Sequence, residues 1–498
     1  MADASSGPLG GALARNAFFL MLAQGVSTTM AVVLSGAVGR SLGPAGFGLF
    51  FLVSSMGAFA YVIADWGQEQ YVTREVAKAP ERAGGMLGTI LALRIAAATL
   101  LAGLVALAAR GFGYDARTCG LAALGVGIML PFFLAQAHNL VFRARERMEY
   151  DALVSVVDRS LTLGLTLLAL AAGLGLTGVL LAQGLGGTAA LLTASLLLRR
   201  LGVLPRAPRG ETASEVLRGG ASMALLNAEC SAQTYVDPVL LSRLGPPQPV
   251  GWLGAARSIA GTLIAPAIIL GVAAYPRLSR AADDRARFRL ELRAALRPTF
   301  ALASLACVGT YLLAGRAVAF VYGDAGFAPA ATLLQVLAPG LVLLYVDNLL
   351  VTAVLATGSA RPLVIAKVVN ILAVAGLATL LVPYFQARTG NGAVGLALAS
   401  NGSELIILGT ALAVLPAGSL DPLLLVDLGR ALLAGAGTLG AFLLLPPVPV
   451  FVGVAICVAA FALLGFAVGL IGRQDLELLR LALRGRPQAA ARVAGGAE

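Results

Sequence analysis

Long apolar runs recur along almost the whole chain, separated by short segments rich in Arg, Gly, Pro or Asp. A helix needs roughly 20 mainly apolar residues to cross the hydrocarbon core of a membrane. By this criterion the pattern predicts fourteen spanning helices with only short connections, and therefore an all-α integral membrane protein. The predicted spans are residues 14–39, 47–65, 86–109, 119–142, 153–174, 176–197, 219–242, 250–275, 298–315, 328–356, 361–384, 391–415, 425–445 and 448–471.

Composition agrees with this pattern and adds an orientation. The chain is 58% hydrophobic and only 12% charged, which excludes an ordinary soluble protein. Most of its Lys and Arg residues lie in the segments that share a side with the N-terminus. Because basic residues are retained in the cytoplasm, both termini are predicted to be cytoplasmic. The net charge of +11 thus indicates topology and attraction to anionic membrane lipid, and not nucleic-acid binding.

A turn between the first two spans is repeated between the seventh and eighth. Leu42-Gly43-Pro44 matches Leu244-Gly245-Pro246, and a second match, in register, relates Gly175–Gly187 to Gly390–Glu404. An offset of six spans predicts parallel repeats, that is, two pseudo-symmetric six-helix lobes around a central cavity, followed by two extra helices. The predicted N-terminal lobe, cytoplasmic linker, C-terminal lobe, pair of extra helices and cytoplasmic tail are residues 1–198, 199–218, 219–415, 416–472 and 473–498.

Several stretches carry a family resemblance, among them ARNAFFLMLAQGVSTTMAVVLSGAVGRSLGPAGFGLF at 14–50, VFRARERMEYDAL at 141–153 and ATGSARPLVIAKVVNIL at 356–372. Together they resemble Wzx-type polysaccharide flippases of the multidrug/oligosaccharidyl-lipid/polysaccharide (MOP) exporter superfamily. The resemblance implies a monomer in the bacterial inner membrane that moves an undecaprenyl-pyrophosphate-linked oligosaccharide between leaflets by alternating access. A polymerase or ligase of the same pathway is the implied protein partner, and no cofactor is implied.

Polar side chains within the spans are the candidates for binding such a substrate. A charged residue at mid-span costs about 2.5–3.5 kcal/mol on insertion scales, so it indicates function by default. Arg257 and Arg94 are the two such arginines considered, because a guanidinium binds phosphate oxygens in bidentate fashion. A structural ion pair is the alternative for both arginines, inside one lobe in the case of Arg94, and hydrogen bonds between helices are the alternative for the neutral residues. The substrate-binding candidates are Arg257, Arg94, Asn16, Gln24, Asn227, Glu229 and Gln233.

ATP hydrolysis by a P-loop is excluded as the energy source. That loop needs a Lys after a Gly, and the two lysines, Lys78 and Lys367, both follow Ala. Coupling to Na⁺ or H⁺ stays open through carboxylates within the spans, among them Asp347 and Glu404. The resemblance implies a cation site formed by Asp237, Asn370 and Ser400. Glu404 has an alternative role as the ion-pair partner of Lys367.

Three other functions remain as alternatives. A membrane glycosyltransferase, polymerase or ligase is disfavoured because the predicted outer loops are short and the chain has one His, so no enzymatic activity is expected. A multidrug extruder of the MATE type, coupled to Na⁺ or H⁺, has the same fold with twelve helices. A flippase for the peptidoglycan precursor lipid II shares the count of fourteen.

Overall fold

The structure is a computed structural model that describes residues 8–323, 326–444, 446 and 448–472. Side chains are described for all of these residues except 8–23, 222–223, 225–233 and 360. Nearly all of these residues are helical, with two short 3₁₀ turns at Pro80–Arg82 and Gly261–Leu263. The α-helices are α1 (Pro8–Asp65), α2 (Gln68–Lys78), α3 (Ala83–Gly111), α4 (Ala116–Ala144), α5 (Met148–Ala171), α6 (Gly175–Arg200), α7 (Gly210–Leu244), α8 (Pro247–Ala260), α9 (Ala265–Ala281), α10 (Arg285–Tyr322), α11 (Ala328–Ala356), α12 (Ala360–Thr389), α13 (Gly392–Val414), α14 (Leu423–Leu443) and α15 (Val450–Ala467).

The predicted all-α membrane fold is confirmed. Within the described residues, 12 helical segments are long and apolar enough to cross a membrane. The first two predicted spans both lie on α1, which Gly43 interrupts with a left-handed φ of 66° that a residue without a Cβ adopts readily. Pro44 then begins the second part of α1, a position that proline favours. The count of fourteen spans stays a prediction.

The first compact unit comprises residues 1–259, 321–330 and 374–396. Within it, α4 packs against α3 and α6, and α1 packs against α4, α5 and α7. One buried cluster joins Tyr61 of α1, Ala98 of α3 and Phe133 of α4. These contacts hold the helices that carry the candidate site.

The repeated glycine-proline turns meet within this first unit. A Cβ built on Gly48 would lie 2.5 Å from the carbonyl oxygen of Pro247, and one built on Gly251 would lie 3.2 Å from the amide nitrogen of Gly48 and closer still to the carbonyl oxygen of Pro44. The start of the second part of α1 and the start of α8 therefore touch backbone to backbone. A glycine at each of these two positions therefore leaves room for the backbone of the other segment.

The second unit comprises residues 260–320, 331–373 and 397–498. Its core joins α9, α10, α11, α14 and α15. Two arginines of α10 bind α14 and the segment that follows α15: Arg293 pairs with the fully buried Asp427 of α14 at 3.0 Å, and Arg297 donates to the carbonyl oxygens of Gly469 and Leu470. The lobe and tail boundaries predicted from the repeat stay a prediction.

Candidate functional site: a charged cavity in the first unit

A cavity of about 560 Å³ lies in the first unit, and we call it the polar cavity. Residues of α1, α2, α3, α4, α5 and α7 form its wall. Its volume falls within the range of small-molecule sites. Charged, amide and aromatic side chains converge on it, an unusual combination among helices as apolar as these. The lining includes Tyr61, Asp65, Glu69, Gln70, Arg94, Phe132, Phe133, Gln136, Arg143, Arg159 and Tyr235.

Arg94 of α3 lies in the wall of the polar cavity and is only 1% exposed. Its guanidinium donates to Asp65 Oδ1 at 2.6 Å, to the Phe133 carbonyl at 2.6 Å and to Gln68 Oε1 at 3.1 Å. The group also lies over the Phe133 ring, 4.0 Å from its centroid. Arg94 thus forms an ion pair within one unit, which is the alternative role predicted for it. Substrate binding by Arg94 stays a prediction.

Arg143, near the end of α4, joins three helices at the same cavity. It donates through Nε to Asp151 Oδ2 of α5 at 2.6 Å and through Nη1 to Glu69 of α2. Asp151 is buried, whereas Glu69 is nearly half exposed. The Glu69 carboxylate is therefore the accessible end of this network. Such a carboxylate accepts hydrogen bonds from hydroxyl groups.

Arg159 of α5 is the most accessible cation in the wall. Its side chain is 41% exposed, and its one carboxylate contact among the described residues is Asp158, at 3.8 Å. Its guanidinium carbon lies 5.9 Å from the centroid of the Phe132 ring. This residue was missed in the sequence analysis, although it is an arginine within a predicted span. The same criterion that selected Arg94 and Arg257 applies to it.

Arg257 and Asp237 form one ion pair in the first unit. Arg257 of α8 binds Asp237 through Nη2 and donates to the Thr234 carbonyl at 3.0 Å through Nη1. Asp237 is almost fully buried, whereas the Arg257 side chain is 23% exposed. From the sequence, Arg257 is a candidate for substrate binding and Asp237 a candidate for the cation site. In the structure the two side chains are in contact. Both assigned roles stay predictions.

The structure gives less information about the remaining candidates. The side chains of Asn16, Asn227, Glu229 and Gln233 lie outside the described residues. Gln24 is exposed and donates to Thr28 on its own helix at 3.3 Å. Asn370 and Ser400 belong to the second unit, whereas their proposed companion Asp237 belongs to the first.

A pair of carboxyl groups, one of them buried, lies in the second unit. Asp347 of α11 is 4% exposed, and its carboxyl group interacts with that of Glu404 on α13. Apart from this interaction with Glu404, no described residue donates a hydrogen bond to either Asp347 carboxylate oxygen. The same two helices are joined where the Asn401 amide donates to the Val336 carbonyl at 2.7 Å. Two carboxyl groups in contact are stabilised when they share a proton.

Comparison with known proteins agrees with this architecture. Residues 13–282 match a family model described as "Polysaccharide biosynthesis protein". No curated protein sequence matches the chain. The structure titled "Lipid II flippase MurJ, inward closed conformation" superposes with a TM-score of 0.72 at 13% identity, covering 90% of this chain and 97% of that one.

Two further solved structures share the fold. An inward-facing multidrug resistance MATE family transporter of the MOP superfamily has a TM-score of 0.62 at 18% identity, covering 78% of this chain and 94% of that one. A MOP superfamily transporter from Pyrococcus furiosus has a TM-score of 0.54 at 18% identity, covering 81% and 94% respectively. At these identities the superpositions establish the fold and leave the substrate open.

Proposed function

The chain belongs to the polysaccharide biosynthesis protein family, and on this basis we propose that it flips an undecaprenyl-pyrophosphate-linked oligosaccharide across the bacterial inner membrane. Its fold is that of MOP superfamily transporters, whose members include flippases. Alternating access is the proposed mechanism, with both termini in the cytoplasm. Anionic lipid surrounds the protein, and a polymerase or ligase of the same pathway receives the flipped product.

The polar cavity is the observation that carries this proposal. A pyrophosphate group needs positive charge within the bilayer, and Arg159 presents a partly exposed guanidinium there with its nearest carboxylate 3.8 Å away. A glycan needs hydrogen-bonding groups, and Glu69 and Gln136 line the same space. Arg159 is therefore the proposed phosphate ligand. Arg94, already bound by Asp65, holds the wall in place.

Replacing Arg159 with Gln is expected to slow transport of the lipid-linked oligosaccharide about 10- to 100-fold, because a charge-assisted hydrogen bond contributes about 1.5–3 kcal/mol. Arg159→Lys should retain part of the activity, since it keeps the charge and loses the bidentate geometry. The measurement is leaflet exchange of a fluorescent undecaprenyl-pyrophosphate oligosaccharide in proteoliposomes.

The matched control is Arg110→Gln, which removes the same charge from an exposed position in the last turn of α3 and away from the cavity lining. It should transport normally. Arg159→Gln working at the wild-type rate, with equal protein in the vesicles, would reject the assignment. Vesicles that also contain lipid II and a cationic dye test the alternatives. Movement of lipid II alone would identify a lipid II flippase, and movement of the dye alone would identify a multidrug extruder.

We assign proton coupling to the carboxyl pair of the second unit. The buried Asp347 carboxyl group, which interacts with that of the partly exposed Glu404, provides a place where one proton binds and leaves as the helices move. A pH gradient is therefore expected to accelerate transport by the wild type, and Asp347→Asn should abolish that acceleration. Asp283→Asn, at an exposed position between α9 and α10, is the control and should keep it. Acceleration by a Na⁺ gradient alone would instead favour the cation site predicted at Asp237, Asn370 and Ser400.

A further inference from the structure

A second cavity, of about 400 Å³, lies in the first unit between α1, α3 and α7, and we call it the apolar groove. Its lining is aliphatic and aromatic, and among the described residues that line it the Tyr235 hydroxyl is the one polar side-chain group. Several lining residues are open to the surroundings of the helices, including Leu104 at 47% and Phe112 at 53% exposure. Such a groove excludes a glycan and suits a hydrocarbon chain that enters from the bilayer.

The apolar groove and the polar cavity lie on opposite faces of the same stretch of α1. Tyr61 and Asp65 line the polar cavity, whereas Phe59 and Ile63 line the groove. This alternation follows from a period of 3.6 residues per turn. Tyr235 of α7 lines both, so the two cavities adjoin at its side chain.

The groove extends away from the polar cavity along α3. Arg94 lies at the polar cavity, and the lining of the groove begins at Leu101 and ends at Phe112. At a rise of 1.5 Å per residue this part of α3 is about 17 Å long, which is about one leaflet of hydrocarbon. The far end is tied to α7, because the Tyr114 hydroxyl bonds to Ser242 and lies 3.3 Å from the carbonyl oxygen of Val239.

We propose that the apolar groove binds the polyisoprenoid tail of the substrate while the polar cavity binds its pyrophosphate. This inference rests on the proposed function, and it adds a second subsite for the same molecule. A charged head and an apolar tail then bind to adjoining sites that share α1, α3 and α7 of one unit. The groove follows α3, which crosses the membrane, so the bound tail keeps the direction that it has in the bilayer. Binding therefore requires few of the tail's contacts with neighbouring lipids to be broken.

Ala108 offers a direct test, because it lines the groove and its side chain is exposed, so a larger residue there fills the groove with little strain on the core. Ala108→Trp is expected to weaken binding of undecaprenyl pyrophosphate about tenfold, which corresponds to about two methylene groups no longer buried. Binding of geranyl pyrophosphate, whose tail is too short to follow the groove, should change little. The measurement is equilibrium binding of the two radiolabelled compounds to the purified full-length protein.

Ala96→Trp is the matched control, an exposed alanine on the same helix that lines neither cavity, and it should bind both compounds as the wild type does. If the wild type transports substrate but Ala108→Trp binds undecaprenyl pyrophosphate normally, the groove assignment alone is overturned. Loss of co-purified phospholipid from Ala108→Trp with unchanged undecaprenyl binding overturns it too, and shows an ordinary lipid in the groove. A wild type that neither binds nor transports the polyisoprenoid compounds rejects the proposed function itself.

Discussion

Arg94→Leu is expected to destabilise the protein by about 3–5 kcal/mol, because it leaves the Asp65 carboxylate in a largely buried place without its cation. The loss extends beyond one ion pair. The guanidinium also binds Gln68 and the Phe133 carbonyl, so α1, α2, α3 and α4 all lose a contact at one point. The variant should therefore unfold at a lower temperature than a variant in which an exposed arginine is replaced.

Thermal unfolding of the detergent-solubilised protein, followed by size-exclusion chromatography, measures this effect. Arg74→Leu is the control, since Arg74 is 62% exposed and its ion pair with Glu75 at the surface should contribute little to stability. The double variant Asp65→Leu, Arg94→Leu removes both charges and should recover part of the stability. Equal stability of Arg94→Leu and Arg74→Leu would show that the buried network is not structural.

Gly251→Val should destabilise the contact between α1 and α8 by up to about 3 kcal/mol and stop transport, because added bulk has no room there. Its Cβ would approach the Pro44 carbonyl oxygen and the Gly48 amide nitrogen, and backbone atoms cannot move aside as a side chain can. The two helix starts must then separate. Gly103→Val is the control, since a Cβ on Gly103 of α3 would meet no atom within 4 Å.

Trp252 reports on this contact directly. It follows Gly251 in the chain, and its indole nitrogen donates to the Gly326 carbonyl at 2.9 Å. The chain has two tryptophans, so Trp66→Phe leaves Trp252 as the single tryptophan, whose emission is excited selectively over that of the tyrosines. In that background Gly251→Val should shift the emission, whereas Gly103→Val should not. Unchanged emission and unchanged transport in Gly251→Val would mean that the glycine contact is dispensable.

The helices followed from the sequence alone because the bilayer permits few alternatives. A backbone in hydrocarbon must satisfy its own hydrogen bonds, so a long apolar run becomes a helix whatever its neighbours are. The Gly43-Pro44 break in α1 was also readable, since glycine readily interrupts a helix and proline readily begins one. The family resemblance rested on such local patterns, and the family match confirmed it.

Ion partners and cavities were decided by the tertiary structure. The sequence marks a charge within a span as costly, but the group that compensates it lies on another helix, often far along the chain. In the structure Arg94 pairs with Asp65 and Arg257 pairs with Asp237. Arg159 is the most accessible cation in the wall of the polar cavity. Helices that are apolar on every side do not reveal which face meets which neighbour. Packing alone placed a charged face of α1 on one cavity and an apolar face on the other.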